Sequence, residues 1–279
     1  MISQLFLAGA SLEIPATRSS PASNIPQEII EMIIAHLICD TRSLLACSLT
    51  CYSWYIASVP HLHHTLITLG CRCDFSPKLG WAKPLQNASK LGLLPLVKKF
   101  HIQGSPSFDS SFPRQQFNSR ILRQISEMTN IRVLGIHGLD IPSFMPEIQH
   151  CFGHFLPRVQ SLSLRAPRGS CRQIIFFIGL FEHLENLGLY DGKLQGGEHE
   201  AVDDPAFIPP FTPPLRGRLA MECFMGAGFL KDMIRLLGGV QFRYMNLVGV
   251  GDMRLLLNAC AKTLEKLRLY PNDPSGEQW

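Results

Sequence analysis

No stretch of this 279-residue chain approaches the ~18 consecutive apolar residues that a membrane-spanning helix requires; the longest run, Ile174 to Leu180, is interrupted by Gly179. A charge excess is missing as well. The 26 basic and 22 acidic residues leave a net charge of +4, too even a balance for the strong positive field that nucleic acid or an anionic membrane needs, so neither is an expected partner. The nine cysteines, at 39, 47, 51, 71, 73, 151, 171, 223 and 260, are odd in number and lack the regular spacing of a disulfide framework. That usage fits a reducing compartment, the cytoplasm or the nucleus. Residues 2 to 12 are mildly apolar but follow no basic residue, and Ala8-Gly9-Ala10 comes too early for cleavage, so no signal peptide is expected. The Asn87-Ala88-Ser89 sequon is then expected to stay idle.

Catalytic signatures are also lacking. The chain has no Gly-x-Ser-x-Gly, no recognisable cysteine-protease signature and no Gly-x4-Gly-Lys-Ser/Thr phosphate loop, and its scattered acids form no pair spaced for acid–base work. The densest set of metal-ligand types is Cys51, His61, His63, His64, Cys71 and Cys73. Structural zinc sites use Cys-x2-4-Cys pairs converging from turns, whereas this set offers one Cys-x-Cys and one His-x-His-His. No metal, cofactor or catalytic residue is expected, and a metal-dependent enzyme ranks third among the readings considered.

What the chain does have is 46% hydrophobic residues, enough for a large core. Residues 1–23, rich in Ser, Ala, Thr and Pro toward their end, read as a flexible leader. From Ile25 a helix is expected to run to about Leu37, with Pro26 in its first turn and Glu28 near the positive end of its dipole. Ile30, Ile33, Ile34 and Leu37 make one apolar stripe along it, and Ile25, Ile29 and Met32 make a second. Asp40 or Thr41 can cap a second helix carrying Leu44, Leu45 and Leu49, and a third follows through Tyr52, Trp54 and Tyr55 until Pro60 stops it. Three helices in about forty residues cannot bury both stripes of the first, so the spare one must meet either a partner or the following region.

The run Ile25-Pro26-Gln27-Glu28-Ile29-Ile30-Glu31-Met32-Ile33-Ile34-Ala35-His36-Leu37, followed by Asp40, Leu44, Leu45, Ala46-Cys47-Ser48-Leu49-Thr50 and Trp54, resembles an F-box in the style of mushroom-forming fungi. The resemblance covers residues 24–69. It implies binding to the adaptor subunit of a cullin-type ubiquitin ligase and, by position, nominates Ile25, Pro26, Ile29, Leu44, Cys47, Leu49 and Trp54 as the adaptor-binding residues. The usual leading Leu is Ile25 here, a change that conserves volume.

After a linker at 70–96, a Leu-x-x-Leu-x-Leu-like hexamer recurs seven times. The copies end at Ile102, Ile136, Leu164, Leu189, Met221, Leu247 and Leu269, with steps of 34, 28, 25, 32, 26 and 22; the one at Leu219-Met221 is weak. Helical patterns lie between them: Ile121-Leu122-Ile125-Met128, Ile174 to Phe181, Phe229-Met233-Leu236-Leu237 and Met253-Leu256-Leu257-Cys260. One strand–helix unit cannot bury its own apolar side, but a stack of them can. The expected fold class is therefore α+β: a three-helix F-box followed by an irregular β-α leucine-rich-repeat-like solenoid over 97–279, without an asparagine ladder and with a last repeat that reads as truncated or uncapped. Two loops, 104–117 and the Pro-rich acidic 191–216, are expected to be solvated insertions.

Strand side chains alternate, so if Leu134 and Ile136 point inward, the residues beside them face the other way. On that concave surface Arg165, Tyr190, Arg218, Tyr244, Arg268 and Tyr270 are the expected target-binding residues, because Tyr and Arg supply most interface hot spots. The function these signals point to is a non-catalytic substrate-recognition subunit of a cullin-type ubiquitin ligase, with the adaptor and an unidentified protein substrate as partners. The alternative is a repeat-based interaction scaffold with no ligase role.

Overall fold

The structure, a computed structural model, describes residues 25–68, 82–103, 119–138, 141, 156–191, 214–222, 227–249 and 253–270. Two compact units divide the chain between Leu62 and His63.

The first unit holds three helices: α1 (Gln27–His36), α2 (Thr41–Ser48) and α3 (Tyr52–Leu62). Pro26 sits just ahead of α1, and its carbonyl accepts from the Ile29 and Ile30 amides. Asp40 caps α2, its carboxylate accepting from the Arg42 and Ser43 amides at 3.1 and 3.2 Å and from the Ser43 hydroxyl at 2.6 Å. Those bonds, the Ser43 hydroxyl's first, hold the Asp40 carboxyl below its ordinary pKa. Pro60 does not stop α3, which continues to Leu62; with only two residues following, the amide it lacks costs a bond in a last turn that is loosely tied anyway. The core of this unit is Ile30, Ile34 and Leu44, with Ile25, Leu37, Cys47, Trp54, Ala57 and Leu62 packed around it. Ile33, assigned from the sequence to the inward stripe, is exposed instead, because only Ile30 and Ile34 point at α2 and α3.

The second unit is an eight-stranded, wholly parallel sheet in sequential order: β1 (Thr65–Thr68), β2 (Lys99–Gln103), β3 (Val133–His137), β4 (Ser161–Arg165), β5 (Asn186–Tyr190), β6 (Leu215–Glu222), β7 (Val240–Val248) and β8 (Lys266–Tyr270). Helices α4 (Ala82–Lys90), α5 (Ser119–Ser126), α6 (Cys171–Gly179), α7 (Ala227–Leu236) and α8 (Arg254–Cys260) lie between strands. Helices α4 to α8 thus stand before β2, β3, β5, β7 and β8, while the described residues of the first unit form helices and no strand. The hexamer positions line up in register: Leu66, Phe100, Leu134, Leu162, Leu187, Leu219, Met245 and Leu267 form one row across the sheet. From Phe100 to Met245 every member of that row is buried, so the repeated leucines build one continuous core with Ile174, Phe177, Phe229 and Leu256 of the helices.

Two boundaries differ from the sequence reading. Residues 65–68, given to the helical unit, form the first strand and pair with β2. His63 and Thr68 occupy hexamer positions that elsewhere are apolar, which hid this copy. The stretch taken as a linker contains α4 and a short 3-10 turn (Leu94–Leu96), and it buries Leu85, Ala88 and Leu94 in the main core.

Backbone bonds link the chain from one strand to the next. Ahead of the strands, Lys98 N–H donates to His64 O, Arg132 to Lys98, Gln160 to Arg132, Glu185 to Gln160 and Arg218 to Glu185, all between 2.7 and 2.9 Å. At the far ends the chain turns through positive φ at Gly138, Ala166, Asp191 and Gly249 (65°, 46°, 52° and 59°). Between β6 and β7 the register shifts: Gly217 stands opposite Phe242, and Arg218 opposite Tyr244. This irregularity is why the sixth strand's hexamer reads weakly. Gly217 occupies the place of an apolar residue, and Leu215, two residues earlier, is buried in its stead.

Candidate docking surfaces

The helical unit keeps an apolar surface outside. Ile29 is 45% and Met32 60% exposed, and both share a side of α1 with the exposed Ile33. Leu49, at the end of α2, is 69% exposed, and Tyr52, Tyr55 and Ile56 on α3 add further uncovered surface. The seven residues nominated from the sequence therefore divide. Pro26, Ile29 and Leu49 are open to a partner. Ile25, Cys47 and Trp54 are half-buried against the core, and Leu44, 1% exposed, belongs to it. Leu44 offers no surface to a partner in this structure, because it is buried with Ile30 and Ile34 in the core of the unit. Met32, Tyr52, Tyr55 and Ile56 were missing from the nominated set. Their signal was in the sequence as apolar residues out of phase with Ile30 and Ile34, but the faces of three short helices cannot be assigned until their packing is known.

On the sheet, alternation puts one set of strand residues into the core and leaves the other set on an open face. Its middle row across β3 to β7 is small: Gly135, Ser163, Gly188, Ala220 and Asn246 stand in register. A Cβ on Gly135 would strike the His101 imidazole, and one on Gly188 would come within 2.6 Å of the Tyr190 ring, so these glycines are what allow the two rings to lie over the sheet. Burial of the His101 ring, with Lys99 beside it, pushes its pKa below the ordinary value.

Over β4 to β8 this face forms a hollow of about 460 Å³. Of the six residues expected to meet a target, Tyr190, Arg218, Tyr244 and Arg268 line it, while Arg165 and Tyr270 do not. The Arg165 guanidinium lies 5.5 Å from the centre of the Tyr190 ring, and that of Arg218 lies 5.2 Å from the centre of the Tyr244 ring. Both are cation–π pairs that fix the rings in place. Arg165 is also 3.6 Å from the Asp191 carboxylate, which the left-handed turn after β5 presents to it. The Tyr244 hydroxyl donates to Glu265, whose bond and charge raise the phenol's pKa. Lys266, left out of the six, also lines the hollow; it sits in register with Tyr244 and is readable from the same alternation.

Among the described residues, no three His, Cys, Asp or Glu side chains gather in a way that could hold a metal ion; Cys71 and Cys73 lie outside them, as do loop 104–117 and nearly all of 191–216. No described helix is long and apolar enough to cross a membrane.

Compared with known families, residues 22–68 match the F-box-like family. The match spans all three helices of the first unit and continues into β1. No curated protein matches the chain. An F-box implies a part in substrate recognition by cullin-type ubiquitin ligases through an adaptor subunit, and proteins that carry one are typically non-catalytic.

Proposed function

We propose that this chain is a non-catalytic substrate receptor of a cullin-type ubiquitin ligase. Its helical unit, an F-box in the style of mushroom-forming fungi, docks on the adaptor, and an irregular leucine-rich-repeat-like solenoid holds a target protein in the cytoplasm or nucleus. The observation that carries this reading is the exposed apolar surface of the F-box-like unit, with Ile29 and Met32 uncovered on α1 and Leu49 at the end of α2. Exposed apolar side chains grouped on so small a unit mark a contact with another protein. In this reading Pro26, Ile29, Met32 and Leu49 meet the adaptor, while Ile25, Leu44, Cys47 and Trp54 shape the surface from behind. On the sheet, Tyr190, Arg218, Tyr244 and Arg268 meet the target, and Arg165 and Tyr270 flank them. What such a receptor contributes is proximity between target and conjugating enzyme.

The test is co-purification of the full chain with the adaptor subunit. Ile29→Glu together with Met32→Glu should abolish capture, while hydrogen exchange in the sheet stays unchanged. Capture that survives both charges rejects Ile29 and Met32 as the docking face, and capture that never occurs with the native chain rejects the ligase role in favour of a repeat scaffold.

A further inference from the structure

Among the described residues the hollow on the open sheet face is lined by three cations, Arg218, Lys266 and Arg268, and by no carboxylate. Nearby arginines are already paired: Arg165 with Asp191 at 3.6 Å and Arg243 with Glu265 at 3.8 Å. Among the described residues neither Lys266 nor Arg268 has an ion pair, and Arg218 has only the Tyr244 ring beneath it. Such an uncompensated group is the electrostatic imprint of an anionic ligand.

Its spacing bears on which anion. Arg218, Tyr244 and Lys266 stand in one row across β6, β7 and β8, so two strand spacings separate the outer cations by about 10 Å at the backbone. Arg268 is two residues along β8 from Lys266, a step of about 7 Å. Charges spread in this way suit several carboxylates along a segment better than one compact group. Between them Asn186 and Asn246 offer amide donors, and the Tyr190 and Tyr244 rings offer apolar faces.

We propose that the hollow binds an acidic segment of the target, with its Asp or Glu carboxylates on Arg218, Lys266 and Arg268 and its backbone over Ala220 and Asn246. This rests on the receptor reading for its biology but not for its measurement. Glu222, at the end of the open face of β6, and the paired Asp191 and Glu265 bound the basic patch and limit the acidic stretch to the span between them.

The experiment is selection of a random peptide display library on the full-length protein, followed by synthesis of the recovered sequences. The recovered pool should be enriched in Asp and Glu, and its best member should bind about tenfold or more weakly to the Arg218→Glu/Arg268→Glu chain, where like charges oppose. A milder Lys266→Gln/Arg268→Gln chain, altered only at exposed positions, should also lose affinity and guards against misfolding of the first variant. A pool without acidic excess, no recovered pool, equal binding of the Asn/Gln version of the best peptide, undiminished binding to both variants, or binding only after phosphorylation each overturns the proposal. Adaptor capture is measured on the same preparations. Lost adaptor binding with acidic selection intact rejects the ligase role alone, and the reverse pattern rejects only the acidic segment.

Discussion

Substituting Gly217 tests whether the backbone at the register shift leaves no room for a side chain. Gly217 has φ of +88°, a region costly for any residue with a Cβ, and a Cβ built there would run into the backbone carbonyl of Glu185. That same carbonyl accepts the Arg218 amide at 2.7 Å, so the obstacle is held in place and cannot swing aside as a side chain would. Gly239, with φ of +101° and nothing within 4 Å of its would-be Cβ, is the control. Gly239→Ala should cost only the dihedral strain, about 1–3 kcal/mol. Gly217→Ala should cost that plus an overpacking penalty of similar size, another ~1–3 kcal/mol. Because every ~1.4 kcal/mol is a factor of ten, amide protection in β5 to β7 should fall about five- to a hundredfold further in Gly217→Ala than in Gly239→Ala. Hydrogen exchange read by mass spectrometry gives this locally, without assuming that the two units unfold together. Equal protection in the two variants would refute the claim that the Glu185 carbonyl forbids a side chain at 217.

Two smaller perturbations follow from the same backbone. Asp40 has its folded-state pKa lowered by its bonds to Ser43 and Arg42, so its contribution is fully present above the ordinary carboxylate range and is lost as pH falls through the lowered value. The difference in α2 protection between the native chain and Asp40→Ala should therefore shrink as the pH is taken from about 5 to below the usual Asp pKa of about 3.9, and a difference independent of pH would show that the carboxylate's charge is irrelevant to the cap. Ala166, at φ of +46° after β4, stands where the equivalent turns after β3 and β7 use Gly138 and Gly249. Ala166→Gly should relieve about 1–2 kcal/mol of strain and lose ~0.5–1 to chain entropy, a net gain of about 0.5–1 kcal/mol visible as greater protection at the ends of β4 and β5, and a net loss would show the turn to be unstrained.

Much of the sheet was legible because burial repeats. Apolar residues at two fixed places in each of the seven hexamers put the same side of each strand against the same core, and the observed register aligns those places across all eight strands. What the pattern could not show was where it is broken by something other than side chains. Residues 65–68 carry Leu66 but lack the flanking apolar pair, and their place in the sheet is set by pairing with β2. Helix α4 has a polar sequence around Leu85 and Ala88, so it reads as a linker until its two buried residues are seen against the core. In the helical unit the Asp40 cap was readable from local chemistry. The inward position of Leu44 was not, since it depends on the crossing of α2 with two other helices.

The open face explains why the polar residues of the strands matter. Parallel sheets are ordinarily covered on both sides, and their strands then read as continuous apolar runs. Among the described residues helices cover only the leucine side, and the other side carries Ser161, Asn186, Arg218, Tyr244 and Lys266. An apolar residue in any of those places would have made the face a template for unspecific association, whereas small and charged ones keep it wetted and selective. Glycine at 135 and 188 carries the argument a step further. These positions give up strand propensity, and the space a Cβ would fill is taken by the His101 imidazole and the Tyr190 phenol. The Tyr190 ring over Gly188 and the Tyr244 ring beside it each have an arginine within cation–π reach, and every ring orientation such contacts favour beforehand is one whose ordering entropy a partner does not have to supply.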